Sequence, residues 1–150
     1  MSYDKPLPDV DDPLTRPFWQ GLRERRLTIQ RCGRCGALRW PAAPICPECL
    51  APGAEWTDVA ADGELWSYVV YRRALSPAFA DEIPYAVGVV ALDAGPHLLS
   101  RISGPVDTLK VGARMTARYE DVSPTVTLLR WVTESPGPEN GGGSSGDHND

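Results

Sequence analysis

Cys32-Gly33-Arg34-Cys35 and, ten residues further on, Cys46-Pro47-Glu48-Cys49 are the stretch from which the fold of this chain can be read. Two cysteines separated by two residues turn both thiolates of one tight bend toward a single tetrahedral ion, with sulfur–metal distances of about 2.3 Å. Gly33 and Gly36 allow the backbone angles that such a knuckle needs, and Pro47 stiffens the second one. The ten residues between Cys35 and Cys46 are expected to form a short hairpin that brings the knuckles face to face, as in a zinc ribbon. Four thiolates close the coordination sphere, so the expected ion is a structural Zn2+ with no position left for substrate or an activated water. A rubredoxin-like iron centre and a redox dithiol are the competing readings of the same four residues.

Working outward, residues 1–14 are rich in proline and aspartate and read as an extended arm. Residues 15–26 read as a helix, with Thr15 as its cap and Arg16 and Pro17 in the first turn, where proline is tolerated. Phe18, Trp19 and Leu22 share an apolar face of that helix, and Arg23, Arg25 and Arg26 occupy the rest. The ribbon, residues 27–56, opens with a strand from Leu27 to Arg31. Residues 57–133 hold five strand-like runs: Glu64–Tyr71, Tyr85–Leu92, His97–Ile102, Ala113–Glu120 and Val126–Val132. Asp93-Ala94-Gly95 turns the chain between the second and third, while Arg72–Pro84 is a long connection of the kind that often carries function. Five strands at this spacing with no long helix between them predict a small closed barrel of the OB type, a split sandwich being the alternative. Trp56 and Trp66 are expected in the core. Residues 134–150, with their Gly141-Gly-Gly-Ser-Ser-Gly146 run, read as a disordered tail. The expected fold is therefore mainly β: an N-terminal helix, a four-cysteine ribbon and an OB-type barrel.

The net charge of -5 hides an uneven distribution. Residues 1–12 carry -3 and residues 133–150 carry -4, which leaves the body at +2. Residues 16–39 alone hold seven arginines against Glu24, a local +6 that points to an anionic ligand or an acidic partner, or else to a solvated helix face. No apolar run approaches the roughly 20 residues of a membrane span, and the start MSYDKPLPDV lacks the basic and apolar regions of a signal peptide. A cytoplasmic location is expected, and there cysteines are metal ligands more often than disulfides. The parts of an enzyme are scarce. His97 stands beside a turn, His148 lies in the polar tail, the body serines at 67, 76, 100, 103 and 123 lack the Gly-x-Ser-x-Gly elbow, and neither glycine-rich phosphate loop is present. Any catalysis is expected to be supplied by another polypeptide.

The order of features is more specific than any one of them: Phe18-Trp19-x-x-Leu22, Gln30-Arg31-Cys32, Trp40-Pro41-x-x-Pro44-x-Cys46-Pro47-x-Cys49, Glu55-Trp56, Gly63-x-Leu65-Trp66-Ser67-Tyr68, Ile83-Pro84-Tyr85, Val87 to Asp93 followed by a glycine, and Leu109-Lys110-Val111-Gly112. Over about residues 15–133 this resembles the family of zinc-ribbon/OB-fold proteins encoded beside thiolase-like enzymes, long catalogued as a domain of unknown function. The resemblance implies a non-catalytic subunit that binds acyl-CoA or holds a complex together. The partner would be a thiolase, a thiolase-like aldolase or a MaoC-type hydratase, with a two-plus-two assembly if that partner is a homodimer. A domain of this type is required by the retro-aldolase of steroid side-chain degradation.

Coenzyme A offers phosphates, for which the planar fork of arginine is suited, and an adenine face suited to aromatic stacking. The candidates for it are Arg39 and Trp40 where the ribbon turns, Tyr71, Arg72 and Arg73 at the end of the first barrel strand, and more distantly Arg101 and Lys110. Phe18, Trp19 and Leu22 are either core or a partner anchor. Two other functions compete: a nucleic-acid-binding module using the +6 segment with Trp66, Tyr68 and Tyr71 as stacking platforms, and a scaffold that never touches coenzyme A.

Overall fold

The computed structural model of the chain describes residues 3–134; the tail expected beyond Glu134, like Met1 and Ser2, lies outside the described residues. Helix α1 (Arg16–Arg23) places Phe18 and Leu22 one turn apart on its buried face. Thr15 stands at its start but caps no backbone N–H; its hydroxyl instead accepts from Trp19 Nε1 at 3.1 Å. The helix stops earlier than expected because Arg25 adopts a left-handed φ of 61°. Arg25 and Arg26 thereby leave the helix and form ion pairs with Asp121 and Asp58.

Strands β1 (Leu27–Cys32), β2 (Leu38–Arg39) and β3 (Ala54–Val59) make an antiparallel sheet in the order β2-β1-β3. The hairpin of the ribbon is thus β1 with β2, folded across the first knuckle. The residues between Cys35 and Cys46 do not pair among themselves as expected, because β2 finds its hydrogen-bonding partner upstream, in β1.

The remaining strands, β4 (Asp62–Tyr71), β5 (Tyr85–Leu92), β6 (His97–Ile102), β7 (Arg114–Asp121) and β8 (Thr127–Thr133), close into a barrel in the order β4-β5-β6-β8-β7. All neighbours are antiparallel except β6 and β8, which run parallel and meet at a single pair, Ile102 with Trp131. Side chains close that seam where the ladder does not: Trp131 Nε1 donates to the Leu98 carbonyl at 3.2 Å, and the Ser100 hydroxyl donates to the Leu129 carbonyl. Buried carbonyls must be paired somewhere, and here indole and hydroxyl replace a strand.

One core serves both units. Phe18 and Leu22 from α1 and Leu27 and Ile29 from β1 pack into the same cluster as the barrel residues Leu65, Val90, Met115 and Trp131. Gly88 is needed inside the barrel, since a Cβ there would lie 2.6 Å from Ile102 and 2.9 Å from Leu65. Trp56 is half-buried against this core. Trp66 is not in it; it is 60% exposed. The register of β4 on β5 shifts between Leu65 and Ser67, and this bulge turns Trp66 outward.

Candidate metal centre and binding surfaces

The two knuckles are built alike. In the first, the Cys32 carbonyl accepts from Gly36 N–H at 3.0 Å and the Cys32 N–H donates to Ala37 at 2.8 Å. In the second, the Cys46 carbonyl accepts from Leu50 N–H at 2.9 Å and the Cys46 N–H donates to Ala51 at 3.0 Å. Equivalent turns set equivalent sulfurs, and all four lie within 4.8 Å of one another. Cys32 and Cys49 sulfurs are 3.6 Å apart and those of Cys35 and Cys46 3.7 Å. A tetrahedral ion with sulfur ligands at about 2.3 Å requires sulfur–sulfur edges of about 3.8 Å, so the cluster fits Zn2+.

The electrostatics agree. The backbone N–H groups of Cys35 and Arg34 hold the Cys32 thiol down to about 6, and that of Cys49 lowers Cys46 against the effect of burial. Cys35 goes the other way: the Ala37 N–H pulls it down, but burial and the crowding sulfurs of Cys46, Cys32 and Cys49 push it up to about 11. Four thiolates this close repel one another unless a cation sits among them, which is what the donor set calls for.

The residues considered for coenzyme A do not form one site. Arg39 is 6% exposed, and two of its three guanidinium nitrogens are committed internally: Nε donates to Gln30 Oε1 and Nη2 to the Ala43 carbonyl, both at 2.8 Å, while Nη1 is buried without a partner among the described residues. Gln30 Oε1 also accepts from Ala43 N–H, which ties the segment between the knuckles to β1. Trp40 packs on Phe18, their ring centroids 4.1 Å apart. At the other end of the barrel Tyr71 stacks on Tyr85 at 5.0 Å, and the Arg101 guanidinium lies over the same Tyr85 ring at 4.5 Å. Arg72, Arg73 and Lys110 are exposed and join neither group. Phe18 and Leu22 are buried in the chain's own core, which removes them as an exposed partner anchor, while Trp19 is half-buried beside them.

Two surfaces stand out that the sequence reading did not single out. On the outer face of β4-β5-β6, Val69 pairs with Val87, and Val89 lies between Ser67 and Leu99. Trp66, Val69 and Leu99 there are 60%, 54% and 64% exposed, and Trp66 rests against His97 with ring centroids 4.8 Å apart. The available signal was β5 itself, apolar at both parities from Ala86 to Leu92, as in a strand covered on two sides. The second surface is a trough at the β6–β8 seam. It joins two clefts of about 300 and 450 Å3 that share Ser103, Glu120 and Arg130.

Family models match both units: the rubredoxin-like zinc ribbon domain of ChsH2 over residues 19–55 and the C-terminal OB-fold domain of ChsH2 over residues 56–120. A DUF35 domain-containing scaffold protein of Methanothermobacter thermautotrophicus is 32% identical over 107 residues, which span 69% of this chain and 80% of the relative. The chain belongs to the DUF35 family. A probable enoyl-CoA hydratase alpha subunit of Thermomonospora curvata is 34% identical over 113 residues, covering 74% of this chain, and the chain spans about a third (35%) of that relative's length. Among solved structures, the Ltp2-ChsH2(DUF35) aldolase superposes with a TM-score of 0.74 at 29% identity over 86% of this chain and 98% of the matched one. A DUF35 protein of unknown function from Sulfolobus solfataricus shares the fold, with a TM-score of 0.57 at 19% identity over 82% of this chain and 87% of the other. The family expected from the order of motifs is the family found. No helix of the described residues is long and apolar enough to cross a membrane.

Proposed function

We propose that this DUF35 chain is the non-catalytic partner subunit of an acyl-CoA C–C bond-cleaving complex and docks its catalytic subunit through the outer face of β4-β5-β6. The observation that carries this reading is the row of exposed apolar side chains on that face, Trp66, Val69 and Leu99, continued by Val87 and Val89. A monomer seldom leaves such a contiguous patch to water unless something covers it. The catalytic subunit is thiolase-like and the reaction a retro-aldol cleavage or thiolysis of an acyl-CoA, a steroid-type side chain being the favoured acyl group. The likeness to an aldolase that contains a DUF35 chain and to relatives named as scaffold proteins supports this. Zn2+ is structural, the acyl-CoA is a ligand shared with the partner, and Arg72 and Arg73 at the exposed end of β4 are its contacts from this chain. Assembly is two-plus-two, following the symmetry of a dimeric partner.

Co-expression with a thiolase-like subunit encoded nearby, followed by affinity capture and mass determination, tests the reading. The wild-type pair is expected to co-purify two-plus-two. Trp66→Glu and Leu99→Glu are each expected to abolish capture with zinc content and circular dichroism unchanged, because a charge on an exposed site disturbs only what would cover it. Undiminished capture by both variants overturns the docking face. Turnover of an acyl-CoA by the metal-replete chain alone overturns the non-catalytic assignment.

A further inference from the structure

The trough at the β6–β8 seam is framed by four arginines, Arg25, Arg101, Arg118 and Arg130, against three carboxylates, Glu82, Glu120 and Asp121. They are not equally spent. Arg25 donates to both oxygens of Asp121, at 2.9 and 2.8 Å, and so has little left to offer. Arg101 gives Glu82 one nitrogen, Nη1 at 2.9 Å, and Arg130 gives Glu120 one nitrogen, Nε at 2.9 Å. Arg118 has no acidic side chain within 4.0 Å among the described residues. It also stands directly opposite Arg130 in the β7–β8 ladder. Like charges in that position are destabilising in a sheet, and one carboxylate does not neutralise two guanidiniums.

Two of the arginines are also recessed, while Arg118 is exposed at the rim. The side chains of Arg130 and Arg101 are only 14% and 19% exposed. A flat protein surface does not reach guanidiniums set this deep, whereas a small anion does. The seam creates the recess: β6 and β8 meet at one pair and then diverge, and Gly104 leaves β6 with a φ of 101°.

We propose that this trough binds a diphosphate-bearing small molecule, with Arg118 and Arg130 on one phosphoryl group and Arg101 toward the other. Guanidinium suits phosphate because its fork donates paired hydrogen bonds, and Arg101 and Arg130 keep N–H groups free for this after their single bonds to carboxylate. The two joined clefts, about 300 and 450 Å3, are of the size that small-ligand sites occupy. The site does not involve the zinc cluster and meets the outer β4-β5-β6 face only at Arg101, which pairs with Val87; Arg118 and Arg130 belong to the β7–β8 ladder, so variants there test it apart from the docking proposal. Its ligand comes either from a nucleotide-type molecule such as coenzyme A or ADP, or from free pyrophosphate.

Isothermal titration of the full, zinc-loaded chain with inorganic pyrophosphate, ADP and coenzyme A at low and at physiological salt tests it, with sulfate as the control anion. Saturable binding of pyrophosphate tighter than sulfate is expected, with Arg118→Gln weakening it about tenfold or more and Arg31→Gln, at an exposed arginine on β1 away from the trough, leaving it unchanged. Tighter binding of ADP or coenzyme A than of pyrophosphate identifies a nucleotide-type source, and equal binding identifies the free diphosphate. Arg130→Gln should act like Arg118→Gln; if it fails to fold, exposed Arg118 carries the test alone. Absence of saturable pyrophosphate binding, equal affinity for sulfate, or insensitivity to Arg118→Gln overturns the proposal.

Discussion

The ribbon and the barrel lie side by side but are held by different forces. Around the four sulfurs the ribbon buries little more than Cys32, Cys46 and Ala51, with Ala37 and Cys49 half-buried against them. The barrel buries Leu65, Val90, Met115 and Trp131 fully, and borrows Phe18, Leu22, Leu27 and Ile29 from the elements before it. A knuckle without its ion is a pair of turns with almost no apolar surface to bury, and such units fold only with metal. The barrel draws its stability from area removed from water. β1 belongs to both regimes: its Cys32 end serves the metal, and its Leu27 end serves the core.

The sharpest way to break this contrast is to take the metal away. Chelation, or Cys46→Ser, is expected to unfold both knuckles and β2 while the barrel stays folded, since structural zinc sites contribute about 10–16 kcal/mol to domains that lack a core. Hydrogen exchange reads the result directly. The amides of Gly36 and Leu50, which close the two turns, should lose protection, and Ser103, bonded to Trp131, should keep it. Loss of protection at Ser103 to the same extent would show that ribbon and barrel unfold as one, and the contrast would be false.

The same contrast explains what the sequence could reveal. Metal chemistry demands particular residues at particular spacings, so the four ligands were legible from Cys32, Cys35, Cys46 and Cys49 alone. The barrel was legible through its strand-length apolar runs and the turns between them, and β5 and β6 fall at Tyr85–Leu92 and His97–Ile102 as expected because β5 is a continuous apolar run and Asp93-Ala94-Gly95 marks the turn after it. Where a local irregularity intervenes, alternation misleads. The bulge after Leu65 reversed the inferred side of Trp66 and hid the apolar outer face. Arg39 looked like a phosphate fork because arginines are rarely buried, and only the fold brings Gln30 and the Ala43 carbonyl to it. The trough was illegible for a similar reason. Arg25, Arg101, Arg118 and Arg130 come from four separate parts of the chain, and no spacing rule links them before the seam does.

A smaller and opposite perturbation sharpens the comparison from the barrel side. Leu65 is fully buried and contacts the space that Gly88 leaves open. Leu65→Ala is expected to cost about 2–5 kcal/mol, the transfer free energy of the lost methyls plus that of a cavity that the barrel cannot close. Urea unfolding followed by the fluorescence of buried Trp131 should report this as a lower midpoint with an unchanged slope. Zinc content at zero denaturant should not change. Substoichiometric zinc in the folded variant would mean that the core also holds the knuckles together, making the ribbon an extension of the barrel.

The smallest expected effect lies inside the ribbon, where its two halves differ at one equivalent position. Gly36 closes the first knuckle with a φ of 74°, and Leu50 closes the second with a φ of 63°. A side chain in the left-handed region costs about 1–2 kcal/mol, and Leu50 recovers little of it by packing, being 74% exposed. Leu50→Gly should relieve that strain while enlarging the entropy of the unfolded chain by about 0.5–1 kcal/mol, a net gain of about half a kcal/mol. A Cβ on Gly36 would meet nothing within 4 Å, so Gly36→Ala tests the same backbone angle with the opposite sign and without a steric clash. Zinc affinity measured by competition with a chromogenic chelator should rise slightly for Leu50→Gly and fall for Gly36→Ala. If Leu50→Gly instead lowers it, the leucine side chain contributes something to the second knuckle that backbone geometry alone does not, and the likeness of the two turns is only superficial.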